Sequence, residues 1–130
     1  MVVNMNMRGS GEGNINQYLA DTIASVFGTV YTADVKGSTN RELFASNQED
    51  MLDTLKNNAG NLANADLQNM MLAVADTSTQ YDGGDYIMTD DKAPVELLGM
   101  QVIDQVIKEE VAYYKGIYEE QGLDGLLQSL

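Results

Sequence analysis

Thr29-Val30-Tyr31-Thr32-Ala33-Asp34-Val35-Lys36-Gly37-Ser38-Thr39-Asn40-Arg41-Glu42-Leu43-Phe44-Ala45-Ser46 decides the class of this fold. Its first seven residues are rich in β-branched side chains, which suit a pleated, half-buried strand. Lys36-Gly37-Ser38-Thr39 reads as a turn, and residues 42–46 as a second, shorter strand. So short a connection leaves no room for a crossover, so the two strands are predicted to be antiparallel neighbours.

Upstream, Met1-Val2-Val3-Asn4-Met5-Asn6-Met7 alternates apolar residues with Asn over its second half, as a strand leaving a core does. Gly9, Gly11 and Gly13 stop it. Ile15, Tyr18, Leu19, Ile23, Val26 and Phe27 then recur at helical spacing. Asn14 is the expected N-cap of that helix and Gly28 its C-terminal stop. The order is β-α-β-β.

Downstream the pattern turns helical. Asn47 is expected to cap a helix carrying Met51, Leu52 and Leu55 and ended by Gly60. Leu67, Met70, Met71 and Val74 mark another, begun near Asn64 or Asp66. Residues 76–91 read as an acidic loop with five Asp and no base. Pro94 suits the first turn of a last helix. Val95, Leu98, Val102, Val106, Val111, Tyr114 and Ile117 are predicted as its long buried face, with Gly122 its end. Met51, Met70, Met71, Met88 and Met100 are expected to fill gaps in the core. Residues 1–47 thus form one half-sheet, and residues 48–130 a helical extension expected to pack on it as a single compact unit.

The chain has 130 residues, enough for one domain or part of one. It contains neither His nor Cys, which excludes disulfides, thiol nucleophiles, imidazole acid–base chemistry and Cys/His zinc sites. Net charge is −13, and 16 of the 20 acids lie in residues 48–130. Such a chain is repelled by nucleic acid and by anionic lipid, while a cationic small molecule is favoured. No run approaches the roughly 20 apolar residues of a membrane span, and no basic segment followed by an apolar one opens the chain, so a cytoplasmic location is expected.

Three segments invite chemistry. Gly9-Ser10-Gly11-Glu12-Gly13 follows a strand and precedes a helix, and Asp34 lies 21 residues beyond Gly13. That arrangement can seat a nucleotide or a sulfonium compound. Against it, Arg8 and Glu12 charge the loop, Val35 continues the strand past Asp34, and only one short strand follows. A plain surface loop is preferred, with a small nucleotide-binding βαβ domain as the alternative. The acidic loop contains Asp82-Gly83-Gly84-Asp85, which lacks the alternating ligands and closing Glu of a calcium loop, so no metal site is expected. Its Tyr81 and Tyr86 either line a cleft for a cation or pack the loop on the core. In Thr89-Asp90-Asp91-Lys92-Ala93-Pro94-Val95-Glu96, Asp90 or Asp91 can cap the following helix. The same two carboxylates can also bind an amine.

The order of Met1-Val2-Val3-Asn4-Met5-Asn6, of residues 18–27, of Asn40-Arg41-Glu42-Leu43-Phe44-Ala45-Ser46 and of Thr89-Asp90-Asp91-Lys92-Ala93-Pro94-Val95-Glu96 resembles the C-terminal half of spermidine synthase-like proteins. The likeness is greatest to the bacterial group often fused to membrane-spanning segments, and it covers residues 1 to about 110. It implies a partial Rossmann-like methyltransferase fold, an α/β mixed sheet with an antiparallel last strand, followed by the helical extension. Residues 1–7 would be the fifth strand, and the strand at 42–46 would insert between the first and second strands. The implied activity of the parent is aminopropyl transfer from decarboxylated S-adenosylmethionine to putrescine or a similar amine.

By the same resemblance the cofactor loop and catalytic acid belong to the family's N-terminal half. This chain alone is therefore expected to bind no cofactor and to carry no catalytic residue. Asn4 and Asn6 fall where the family places polar groups near its substrate, and Asn4, Asn6, Asp90 and Asp91 are the expected amine-binding residues. The open edge of the first strand implies self-association or a complementary N-terminal half. A non-enzymatic interaction module using that edge is a further alternative.

Overall fold

A computed structural model describes residues 1–7, 12–91, 93 and 95–129. Its residues fall into two units, Met1–Ala93 and Pro94–Leu130. The first holds β1 (Val2–Asn6), α1 (Ile15–Ala24), β2 (Thr29–Asp34), β3 (Asn40–Ser46), α2 (Met51–Gly60), α3 (Ala65–Thr77) and β4 (Thr79–Gln80). The second is α4 (Val95–Ser129).

The sheet order is β1-β3-β2-β4, and every neighbouring pair is antiparallel. β1 and β2 therefore run in the same direction with β3 inserted between them, as the resemblance implies. Period-two alternation sorts the side chains. Val3 lies opposite Leu43 and Leu43 opposite Thr32, so these share a face, as do Met5, Arg41 and Asp34 in the next row. α1 covers this face: Met5, Val30, Leu43 and Ala45 form one buried cluster with Ala20 and Ile23. Leu43 is fully buried at its centre. Truncating such a leucine to Ala typically costs about 2–5 kcal/mol. On the other face Asn4 and Asn6 of β1 are exposed, whereas Thr29 and Ala33 of β2 are buried.

Local chemistry explains most helix starts. The Asn14 side chain accepts from the Asn16 and Gln17 amides at 2.8 and 3.0 Å, and Asn64 accepts from the Leu67 amide at 3.0 Å. Both are ordinary N-caps. Asn47 does not cap α2. The cap position is Asp50, and the Asn47 side chain instead accepts from the Gly28 amide at 3.3 Å. α1 stops at Ala24, before Gly28, with Ser25 as its C-cap. β4 was hidden in the acidic stretch: Gln80 pairs with Tyr31 and Thr79 with Thr32, at the edge of β2.

α4 departs from its expected burial. Leu98 is buried and Val102, Val106, Tyr114 and Ile117 are half-buried, but Val95 and Val111 are exposed. Met70 and Met100 are exposed too, so neither fills a core gap. The apolar residues of α4 spread over more than one stripe, with Met100, Ile103, Ile107 and Val111 forming a second, exposed one. No single contact can cover both. Gly122 breaks the helix at φ 70°, ψ −163°, and helical structure then resumes as far as Ser129. No described helix is long and apolar enough to cross a membrane.

Candidate functional site

Where β1 and β2 end, the first unit opens into a cleft. A cavity of about 210 Å³ has Met5, Met7 and Ala20 as its apolar floor and Asn14, Asn16 and Gln17 along one wall. A larger hollow of about 640 Å³ lies on the β4 side, between Asp34, Lys36, Thr79 and Gln80. Thr32, Arg41 and Tyr81 line both.

The polar groups of the cleft are held by one another. Asn16 donates from Nδ2 to the Asn6 carbonyl at 2.6 Å, tying α1 to the end of β1. Gln17 accepts from the Gly13 amide at 2.7 Å. Arg41 grips Asp34 in two-pronged fashion, Nε to Oδ1 at 2.6 Å and Nη2 to Oδ2 at 3.2 Å. This bond holds the Asp34 carboxyl below its usual range and raises the Arg41 guanidinium further. Asp34, the acid expected at a ribose in the nucleotide alternative, is thus paired with Arg41. Gly9, Ser10 and Gly11 of the glycine loop lie outside the described residues. At its end, the first free amides of α1 are already taken by the Asn14 side chain.

The residue the sequence did not single out is Asp21. Its side chain is only 1% exposed although it sits in an amphipathic helix. One carboxylate oxygen accepts from the Tyr81 phenol, and the other accepts from the Tyr86 amide at 3.0 Å. Next to it, the Thr22 hydroxyl accepts from the Met88 amide at 2.8 Å. The segment Tyr81–Met88 is thereby strapped to α1. Gly84 makes the strap possible, because a Cβ there would stand 2.7 Å from Asp21 Oδ2. Burial, reinforced by the Asp21 bond and charge, pushes the Tyr81 phenol up to about 12. Tyr86 packs edge-on against Tyr18, with ring centroids 5.1 Å apart. Tyr81 therefore does both things its sequence allowed: it packs on the core and lines the cleft.

The four expected site residues are placed as two exposed pairs. Asn4 and Asn6 share one face of β1, opposite Met5, and Asn6 Oδ1 accepts from the Thr39 hydroxyl at 3.1 Å. Asp90 and Asp91 form the turn after Met88, where Asp91 accepts from the Thr89 hydroxyl at 2.7 Å. Their expected role as helix caps turns on a junction whose Lys92 and Pro94 lie outside the described residues. Among the described residues no group of three or more acids could hold a metal ion.

No family model matches this sequence, and no solved structure does. A probable polyamine aminopropyl transferase of Bifidobacterium longum (strain NCC 2705) is 44% identical over 147 aligned positions, which take in all of this chain and 33% of the relative. The chain is similar along its whole length to part of this polyamine aminopropyl transferase. It spans about a third of the length of the curated relative it matches. The β1-β3-β2 arrangement agrees with a partial methyltransferase-like fold, the architecture implied for spermidine synthase-like proteins. The cleft stands at the carboxyl ends of β1 and β2.

Proposed function

We propose that this chain forms the amine-facing part of an aminopropyl transfer unit. The reaction is displacement at carbon. An amine nitrogen attacks the methylene bound to the sulfonium of decarboxylated S-adenosylmethionine, the C–S bond breaks, the thioether leaves, and the new secondary ammonium gives up a proton. The part assigned to this chain is recognition of the amine. Similarity to the Bifidobacterium relative, 44% identical across the whole chain, carries this reading. The acidity of the chain supports it, since a polyamine gains from a negative surroundings without any single tight contact.

Asp90 and Asp91 are proposed as the charge partners of the amine, and Asn4 and Asn6 as hydrogen-bonding groups. Exposed ion pairs are weak individually, so Asp90→Ala and Asp91→Ala should each weaken spermidine binding about threefold by titration calorimetry. Unchanged affinity in the double variant would remove these two residues from the site. A second reading, association with another chain, is favoured by one observation: among the described residues β1 is paired on one side only, and Val2 on it is 63% exposed.

A further inference from the structure

Asp21 is an anion out of solvent whose described partners are hydrogen-bond donors of the strap, the Tyr81 phenol and the Tyr86 amide. Burying a carboxylate is costly unless it is paired and hydrogen-bonded. Fastening the strap would need no such group, because Thr22 already holds its far end at Met88 with a neutral hydroxyl. What a carboxylate adds is two acceptors and no donor. The Tyr81 proton is therefore committed inward to Asp21. The phenol oxygen has only acceptor lone pairs left for the cleft, and the buried anion behind it polarises that oxygen further. Tyr81 lines both lobes of the cleft.

We propose that Asp21 is a positioning residue that turns Tyr81 into an acceptor-only group, selecting an alkylammonium ligand in the cleft. The proposal rests on the amine reading above. It adds a recognition element, from α1 and the strap, to the expected quartet of Asn4, Asn6, Asp90 and Asp91.

The test is a double-mutant cycle read by spermidine titration, with ultraviolet titration of the tyrosines alongside. Tyr81→Phe keeps the ring and removes the oxygen; Asp21→Asn keeps one acceptor but replaces the other with a donor. Each single variant should weaken spermidine binding roughly tenfold, as for a lost hydrogen bond to a charged group, and the double variant no more than either alone. Thr22→Val, which frees only the Met88 end, should leave affinity within about twofold. Additive losses, or an equal loss in Thr22→Val, would show that Asp21 acts through the strap's general stability and would overturn the proposal. If the unmodified chain binds no spermidine, the amine reading fails. The dyad is then judged by its titration, where Asp21→Asn should lower the tyrosine that titrates near 12, while burial, the larger cause, still holds it above the ordinary value near 10. An unmoved titration overturns it. Should Asp21→Asn not fold, Tyr81→Phe decides: it must remove that highest-titrating tyrosine and weaken spermidine.

Discussion

Tyr81 is partly buried and donates a hydrogen bond to the Asp21 carboxylate, and this fixes the sign of its response to pH. A phenol whose value is raised from about 10 to about 12 on folding binds more protons in the folded state between those limits. Its contribution to stability is complete below pH 10 and is lost as pH rises through about 12. The melting temperature should therefore fall more steeply between pH 10 and 12 in the unmodified protein than in Tyr81→Phe; parallel curves would deny the Tyr81–Asp21 bond. The pair was not legible in the sequence, because its partners lie 60 residues apart and Asp21 reads as one polar residue of an amphipathic helix. Two signals were available: two adjacent glycines between two tyrosines in an acidic loop, and an Asp-Thr step in a helix of apolar spacing. Neither says that they meet. By contrast Asn14 and Asn64 were legible, since a cap depends only on the residues immediately after it.

Among the elements, β1, α1, β2 and β3 were legible because each carries its own period and its own stops. The insertion of β3 between β1 and β2 came from family resemblance, since alternation alone does not choose a neighbour. β4 was invisible for the opposite reason: two residues carry no period, and Thr79–Gln80 becomes strand only because β2 offers an edge. The expected burial of α4 failed at Val95 and Val111 because apolar spacing reports which residues share a stripe and cannot report that a partner covers it. The same reasoning applies to the far edge of the sheet. Among the described residues β1 pairs on one side only; it has no charged side chain within Val2–Asn6, and Val2 is exposed. Two acidic copies can approach along this neutral strip with little repulsion, and an open edge is a template for pairing. Sedimentation at micromolar concentration should show a species heavier than the 14.2 kDa monomer. A single sharp monomer boundary would contradict the pairing.

At the scale of the whole molecule, the proposed amine recognition draws on charge and on likeness to the relative. The chain carries −13, concentrated in residues 48–130, and in its cleft Arg41 is paired with Asp34. The relative supplies the chemistry by its name, and this chain matches a third of that relative. The most direct measurement is a thermal melt on a sample of known sedimentation mass, alone and with millimolar spermidine, putrescine or decarboxylated S-adenosylmethionine. A ligand that binds only the folded chain raises the melting temperature in proportion to the logarithm of its concentration over Kd. The amine-facing reading predicts a rise with spermidine and putrescine and none with the adenosyl compound. A rise with the adenosyl compound and none with the amines would contradict it, and would move the site to the loop at Gly9, Gly11 and Gly13.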